Sequence, residues 1–247
     1  MRTPSPLLPA LLLLAALLPR PAPAGEDPRL VYDATSPEWL RAVGKLVVPG
    51  VRYRDGYGSH RRENCSATLV GTPGSRRADT LVTAWHCLED YRDLSRPITV
   101  TLRSSSGAAI TREARRVADG GGMYADWAVL KLLQAVERSE VAPLPVHLDL
   151  ADQALPVTMA GFSADAGLGA GGEILTYDPD CRITRQERRE SESDCRAFKG
   201  ASGGAVIQLD GDGAARICGV ISRGDSASVS YFVPLQRFRS ELNRFLD

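Results

Sequence analysis

The sequence is poor in clustered metal ligands. It has only three histidines, His60, His86 and His147, which lie far apart, and none of its five cysteines belongs to a Cys-x-x-Cys pair. Structural zinc sites need closely spaced histidines and cysteines. The glycine-rich stretch AGLGAGGE (Ala166–Glu173) lacks a following helical pattern, which favours a surface loop over a phosphate-binding loop. The sequence therefore predicts no metal and no other cofactor.

The chain also lacks an excess of charge of either sign. It contains 30 basic and 30 acidic residues, whereas nucleic-acid binding requires a basic surface. Beyond the N-terminus it lacks an apolar run long enough to span a bilayer. These absences argue against a nucleic-acid partner and against an internal membrane anchor.

One apolar run is present, at the N-terminus. Leu7–Leu18 is too short to cross a membrane, follows the positive Arg2 and precedes Ala-Pro-Ala at residues 22–24. This order predicts a signal peptide over residues 1–24, a secreted or periplasmic protein, and no membrane association after cleavage. Residues 25–41 would then be either an N-terminal arm or a pro-segment that is removed, and both interpretations stay open.

Short apolar stretches dominate the rest of the chain. They are rich in Val, Ile, Leu and Thr and are bounded by Gly, Pro, Asp or Ser, which is typical of strands separated by turns. Many strands with few helical patterns predict an all-β protein. The exception is the C-terminus, where apolar residues at helical spacing predict a helix over 234–247 that begins at Pro234. Those apolar residues are Leu235, Phe238, Leu242, Phe245 and Leu246.

Three short segments carry residues suited to nucleophilic catalysis. LVTAWHCL places His86 directly after an apolar strand, YADWAVLKL places Asp126 at the start of another, and GASGG surrounds Ser202 with glycines. Taken singly, each has a common structural explanation: a histidine at a strand end, a turn-capping aspartate, a serine in a tight turn. Together in an exported all-β chain, they predict a base, an orienting carboxylate and a nucleophile.

The segments TAWHC, DWAVLKL and GASGG, in this order, resemble the chymotrypsin/trypsin superfamily of serine proteases. The resemblance extends over residues 42–247. It implies two six-stranded antiparallel barrels, at about 42–140 and 141–233, with the active site in the cleft between them. Within the superfamily, Cys181 and Cys195 resemble a bridged pair of the bacterial secreted glutamyl-endopeptidase-like branch. A second implied bridge joins Cys65 to Cys87, which leaves Cys218 as a free, buried thiol.

The resemblance also implies a role for each site residue. His86 would act as general base, Asp126 would orient it and Ser202 would attack the peptide carbonyl. The backbone N–H groups of Gly200 and Ser202 would form the oxyanion hole. The protein would then be a monomeric serine endopeptidase with protein or peptide substrates. Ala201 occupies the position of an aspartate that pairs with the new N-terminus in trypsin-like zymogens, so activation through that ion pair is excluded.

The sequence allows two interpretations of the substrate preference and two of the function. Ser222, Arg223 and Gly224 are expected to line the substrate cleft. Arg196, Lys199 or Arg223 could attract an acidic substrate side chain, or each could be solvated at the rim.

The alternative function is a catalytically inactive binding module on a protease scaffold. Such a module would be expected to have lost one of the side chains of His86, Asp126 and Ser202. His60 and His147 lack motif context and are expected at surface and strand positions.

Overall fold

A computed structural model describes residues 27–92, 95–147 and 149–246. The predicted signal peptide, residues 1–24, lies outside the described residues. Strands predominate in the described part of the chain, so the prediction of an all-β protein is confirmed. No helix in these ranges has the length and apolar character needed to cross a membrane.

The first half of the chain forms a closed barrel. Its strands alternate between buried and more exposed residues, as in the strand Ile98–Arg103, where Ile98, Val100 and Leu102 are buried. A short strand from the N-terminal arm comes first in the chain and lies outside the barrel. These strands are β1 (Leu30–Val31), β2 (Val43–Arg54), β3 (Tyr57–Val70), β4 (Arg77–Thr83), β5 (Ile98–Arg103), β6 (Ala109–Asp119) and β7 (Ala128–Glu137). The barrel order is β2-β3-β4-β7-β6-β5, so a six-stranded barrel is confirmed for this half.

The second half forms a half-barrel sheet. Its strands are β8 (Val157–Gly161), β9 (Thr176–Cys181), β10 (Ile183–Arg185), β11 (Ser191–Ser193), β12 (Ala205–Leu209), β13 (Ala215–Gly224) and β14 (Ser230–Pro234). With β1 they form an eight-stranded sheet of order β1-β9-β8-β12-β13-β14-β11-β10. Its terminal strands, β1 and β10, do not pair with each other within the described ranges. A second closed, six-stranded barrel is therefore not confirmed: β1 extends one edge by pairing with β9, and the short β10 carries a register shift at the other.

The larger of two buried hydrophobic clusters extends across both halves, and the smaller lies within the second half. The main buried cluster includes Leu46 and Val100 of the barrel together with Ala205 and Val220 of the sheet. The turn after Ser202 is pressed against the barrel, because a Cβ atom at Gly203 would lie 2.2 Å from the Ser66 carbonyl oxygen. The candidate nucleophile from the second half is thereby held directly against the first half.

The C-terminal helix is shorter than the predicted 234–247. A 3₁₀ helix at Leu235–Arg237 precedes α1 (Arg239–Asn243), and Pro234 ends strand β14 rather than opening a helix. Phe238 interrupts the helix with φ −123° and stacks on Trp127 at a centroid distance of 4.6 Å. The predicted apolar face does pack inward, since Leu235, Phe238 and Leu242 are buried. Two more 3₁₀ helices lie at Glu38–Ala42 and Trp85–Leu88.

Candidate active site

The barrel brings His86 and Asp126 into contact. His86 lies in the 3₁₀ helix that follows β4, and Asp126 lies two residues before β7, which pairs with β4 through Thr83 and Ala128. The Nδ1 atom of His86 is 2.8 Å from Oδ2 of Asp126. The backbone N–H of His86 donates to the other carboxylate oxygen at 2.9 Å. The carboxylate therefore forms hydrogen bonds with both the ring and the main chain of the histidine.

Asp126 is buried as an anion. Its side chain has no exposed surface, and Ser222 Oγ donates a further hydrogen bond to Oδ2 at 2.5 Å. Burial alone would raise the pKa of Asp126, but the hydrogen bonds from His86 and Ser222 outweigh it, so the pKa lies below the ordinary value. An ionised carboxylate fixes the proton of His86 on Nδ1 and leaves Nε2 free to accept one.

Ser202 lies in a glycine turn at the same cleft, but its hydroxyl points elsewhere. Gly200 and Gly203 flank it with φ values of 93° and 81°, which side chains disfavour. Ser202 Oγ donates to the carbonyl oxygen of Ser222 at 3.1 Å. No hydrogen bond joins Ser202 to His86 in the described part of the chain. The structure thus brings His86 and Asp126 into contact, and it places Ser202 in the same cleft without the third hydrogen bond.

Two backbone N–H groups beside Ser202 are free to bind an anion. Those of Gly200 and Ser202 have no acceptor among the described residues, whereas the intervening Ala201 N–H donates to the Phe198 carbonyl at 3.0 Å. Gly200 must be glycine, since a Cβ atom there would lie 2.5 Å from the Phe162 carbonyl oxygen. The predicted oxyanion donors therefore sit on a rigid turn with unused hydrogens.

Ser66 is a site residue that sequence reasoning missed. Its fully buried hydroxyl donates to the Gly200 carbonyl at 2.9 Å and accepts the Phe162 N–H at 2.8 Å. The backbone N–H of Ser66 also donates to the Ser202 carbonyl at 2.8 Å. Ser66 thereby holds both ends of the turn. It lies 134 residues from Gly200 in sequence, so no local pattern indicates this role.

The cleft next to Ser202 has mostly uncharged walls. It has a volume of about 300 Å³ and includes all three predicted lining residues, Ser222, Arg223 and Gly224. Arg223 pairs with Glu190 at 2.5 Å and stacks over Tyr231 at 4.2 Å, so its charge is already matched. The other lining residues are His86, Met123, Ala197, Phe198, Lys199, Ser202, Ile221 and Ser226.

Arg196 is also engaged away from the cleft. Its Nε atom donates to the Ala227 carbonyl at 2.9 Å, and Nη1 lies 3.8 Å from Asp27. With Arg196 and Arg223 both partnered, Lys199 is the exposed cation at the cleft that has no ion pair among the described residues.

Two disulfides brace the site. Cys65–Cys87 ties the helix that carries His86 to β3, and Cys181–Cys195 precedes the Ser202 turn. Cys65, Cys87 and His86 are close enough to suggest a metal cluster, but both sulfur atoms are consumed by the disulfide.

Burial raises the pKa of the free Cys218 to about 12, so this thiol is unreactive at neutral pH.

Comparisons with known proteins agree with this architecture. A family model described as a trypsin-like peptidase domain matches residues 65–214, a span that includes His86, Asp126 and Ser202. No protein of curated function shows significant sequence similarity to the chain.

Three solved structures illustrate the likeness in fold. The thermostable serine protease AL20 from an extremophilic microorganism aligns with a TM-score of 0.59 and 17% identity, over 83% of this chain and 96% of its own. Protease Anisep from Arthrobacter nicotinovorans gives 0.58 and 20%, over 81% and 92%. The active form of the Rv3671c protease from M. tuberculosis gives 0.58 and 17%, over 84% and 82%. At such identities the likeness concerns the fold alone.

Proposed function

We propose, from the premise that the chain belongs to the family of trypsin-like peptidase domains, that it is a serine endopeptidase acting through Ser202, His86 and Asp126. The family implies protein or peptide substrates. The observation that carries the proposal is the contact between His86 and the buried Asp126 carboxylate, at the cleft that also contains Ser202. In this arrangement the carboxylate holds Nδ1 of His86, and Nε2 is the ring nitrogen that would accept a proton from the Ser202 hydroxyl.

The reaction would begin with a rotation of the Ser202 side chain. Its hydroxyl leaves the Ser222 carbonyl and donates to His86 Nε2, which takes the proton as Oγ attacks the scissile carbonyl carbon. The negative oxygen of the tetrahedral intermediate would accept hydrogen bonds from the free N–H groups of Gly200 and Ser202. The imidazolium, stabilised by Asp126, then protonates the leaving amine, and water hydrolyses the acyl-enzyme by the same steps.

We further propose that the enzyme is exported and monomeric. Residues 1–24 would direct export, and the disulfides of the structure are compatible with an oxidising compartment. The protease domain would comprise residues 42–247. Assignment to the glutamyl-endopeptidase-like branch rests on the bridge Cys181–Cys195, and Lys199 is the residue that would favour an acidic substrate side chain.

A competing function is a binding module without catalysis. It is favoured by one observation, the hydrogen bond of the Ser202 hydroxyl to the Ser222 carbonyl instead of to His86. In that case the hydroxyl would be a structural donor and would have ordinary, low reactivity. Chemical reactivity of Ser202 therefore separates the two functions.

Covalent labelling tests the proposed function directly. A fluorophosphonate should modify the folded protein once, at Ser202, because only an activated serine hydroxyl attacks it rapidly. Peptide mapping by mass spectrometry would locate the adduct. Ser226→Gly is a matched control: it removes another hydroxyl from the cleft at a residue with φ 60° and should still be labelled. A folded protein that resists labelling, with or without this change, would favour the binding module.

Hydrolysis should slow as the solution is acidified from pH 8 to pH 5. A histidine can act as base only when neutral, and imidazoles titrate in this range. Burial alone would raise the pKa of Asp126, but its hydrogen bonds lower it, so the carboxylate stays ionised throughout. Because this pKa is lowered by folding, its contribution to stability is present above about pH 4 and is lost only in stronger acid.

The measurement is kcat/KM against pH, with near-ultraviolet circular dichroism recorded on the same samples. We expect the rate to fall while the dichroism is unchanged. A flat rate profile between pH 5 and pH 8 would contradict a histidine base.

A further inference from the structure

Arg29 of the N-terminal arm is buried although it carries a charge. Only 2% of its side chain is exposed. Arg29 directly precedes β1, which anchors the arm through the pairing of Leu30 with Tyr177 of β9. A buried guanidinium requires partners for its charge and its N–H groups.

The partners of Arg29 come from both the arm and the second half of the fold. Its Nη1 and Nη2 atoms donate to the two carboxylate oxygens of Asp165 at 2.8 and 3.1 Å. Nε and Nη2 donate to Asp27 at 3.1 and 2.7 Å. The hydrogen bond from Arg29 is the largest influence on each carboxyl group, and the pKa values of Asp27 and Asp165 both lie below the ordinary value.

The same guanidinium contacts the turn that carries the oxyanion donors. It lies 4.0 Å from the ring centroid of Phe198, a cation–π distance. Phe198 accepts the Ala201 N–H through its carbonyl at 3.0 Å and so forms the first corner of the turn.

Asp165 reaches the turn by a second route. Its neighbour Ala164 donates to the Lys199 carbonyl at 2.6 Å, and a Cβ atom at Gly200 would meet the Ala164 N at 3.2 Å. Arg29 thus clamps both Phe198 and the loop against which Gly200 packs. Residue 201, within the turn, is an alanine whose methyl group offers no ionic anchor.

We propose that Arg29 is a positioning residue that holds the Phe198–Ser202 turn in the conformation that aims the N–H groups of Gly200 and Ser202 at the oxyanion. The N-terminal arm is then required for catalysis, and cleavage that removed Asp27–Val31 would abolish activity. This inference rests on the proposed function, since it assigns Arg29 a role in that reaction.

The test compares Arg29→Gln with the unchanged enzyme on a peptide substrate. Losing one oxyanion donor costs about 10²–10³ in rate, so loosening the turn should lower kcat by about 10-fold or more while KM changes little. Inhibition by a peptide aldehyde, which forms a tetrahedral adduct, should weaken by the same factor as kcat. Arg29→Lys should lie between the two, because it keeps the charge but loses the bidentate contact.

Arg41→Gln is the matched control. Arg41 belongs to the same N-terminal segment and bonds to Tyr32 and Glu38, away from the Ser202 turn, so its loss should leave kcat near the parental value. Asp165→Asn is a second test variant, which removes the charge opposite Arg29 and should lower kcat in the same direction. It covers the case in which Arg29→Gln does not fold.

Three results would decide against the proposal. If both Arg29→Gln and Asp165→Asn lower the melting temperature but keep parental kcat and aldehyde affinity when folded, Arg29 is only structural. Full activity of a secreted form that begins after Val31, identified by N-terminal sequencing, would also overturn it. If the parental enzyme itself is folded but neither hydrolyses peptides nor reacts with a fluorophosphonate, the proposed function fails, and Arg29 has no catalytic turn to position.

Discussion

Replacing Ser202 by alanine should reduce kcat for peptide hydrolysis by about 10⁶, to the residual rate expected when the nucleophile of a triad is absent. The hydroxyl provides the only attacking atom in the proposed reaction, and the imidazole has no other proton to accept. The change deletes one oxygen whose hydrogen bond in the structure goes to the Ser222 carbonyl. The fold should therefore remain intact, and substrate binding should change little. Initial rates on casein and on a short chromogenic peptide would measure the effect.

The control for this change is Ser226→Gly, which alters another serine of the same cleft. It should retain activity within a few-fold of the parent, with the same melting temperature as the parent and as Ser202→Ala. A Ser202→Ala protein that still cleaves casein at more than one hundredth of the parental rate, after removal of contaminating proteases, would show that Ser202 is not the nucleophile.

Replacing Asp126 by asparagine should reduce kcat by about 10⁴ near neutral pH, by analogy with the catalytic triads of serine proteases. The amide is nearly isosteric but uncharged, and it can donate to His86 Nδ1. That contact would place the ring proton on Nε2, the atom that must accept from Ser202. The imidazolium formed during the reaction would also lose its buried counter-charge. Because the Asp126 side chain is fully buried and should not contact the substrate, KM should change much less than kcat.

Asp119→Asn provides the comparison for this second change. Asp119 ends β6 and precedes the same loop, where it accepts the Gly121 N–H and pairs with Arg116 at 3.3 Å. Its replacement removes one carboxylate without touching His86, so kcat should stay within a few-fold of the parental value. Equal losses in the two variants would indicate a general effect on the loop and would contradict an orienting role for Asp126.

The all-β class was predictable because the signal of a strand is local. A half-buried strand alternates between two environments, and residues such as Ile98, Val100 and Leu102 record this alternation within six positions. The segments around His86, Asp126 and Ser202 were also recognisable from neighbouring residues alone, since each combines a strand end or a glycine turn with one reactive side chain.

Features that depend on distant contacts were missed or only partly predicted. The pairing of β1 with β9 joins residues more than 140 positions apart, and it adds a strand to the second sheet. The helix over 234–247 is shortened where Phe238 turns to stack on Trp127, a contact that helical periodicity does not report. In each case a long-range contact prevails over the local preference of the chain.

By itself the sequence determined the all-β class and the three segments that carry the candidate catalytic residues. Only the tertiary structure decided which side chains contact these segments. Ser222 donates a hydrogen bond to Asp126, Ser66 donates one to the Gly200 carbonyl, and Arg29 lies over the Phe198 ring. The physical reason is that a motif reflects interactions between residues close in the chain. These supports join residues about one hundred or more positions apart, which become neighbours only when the two halves and the N-terminal arm pack together.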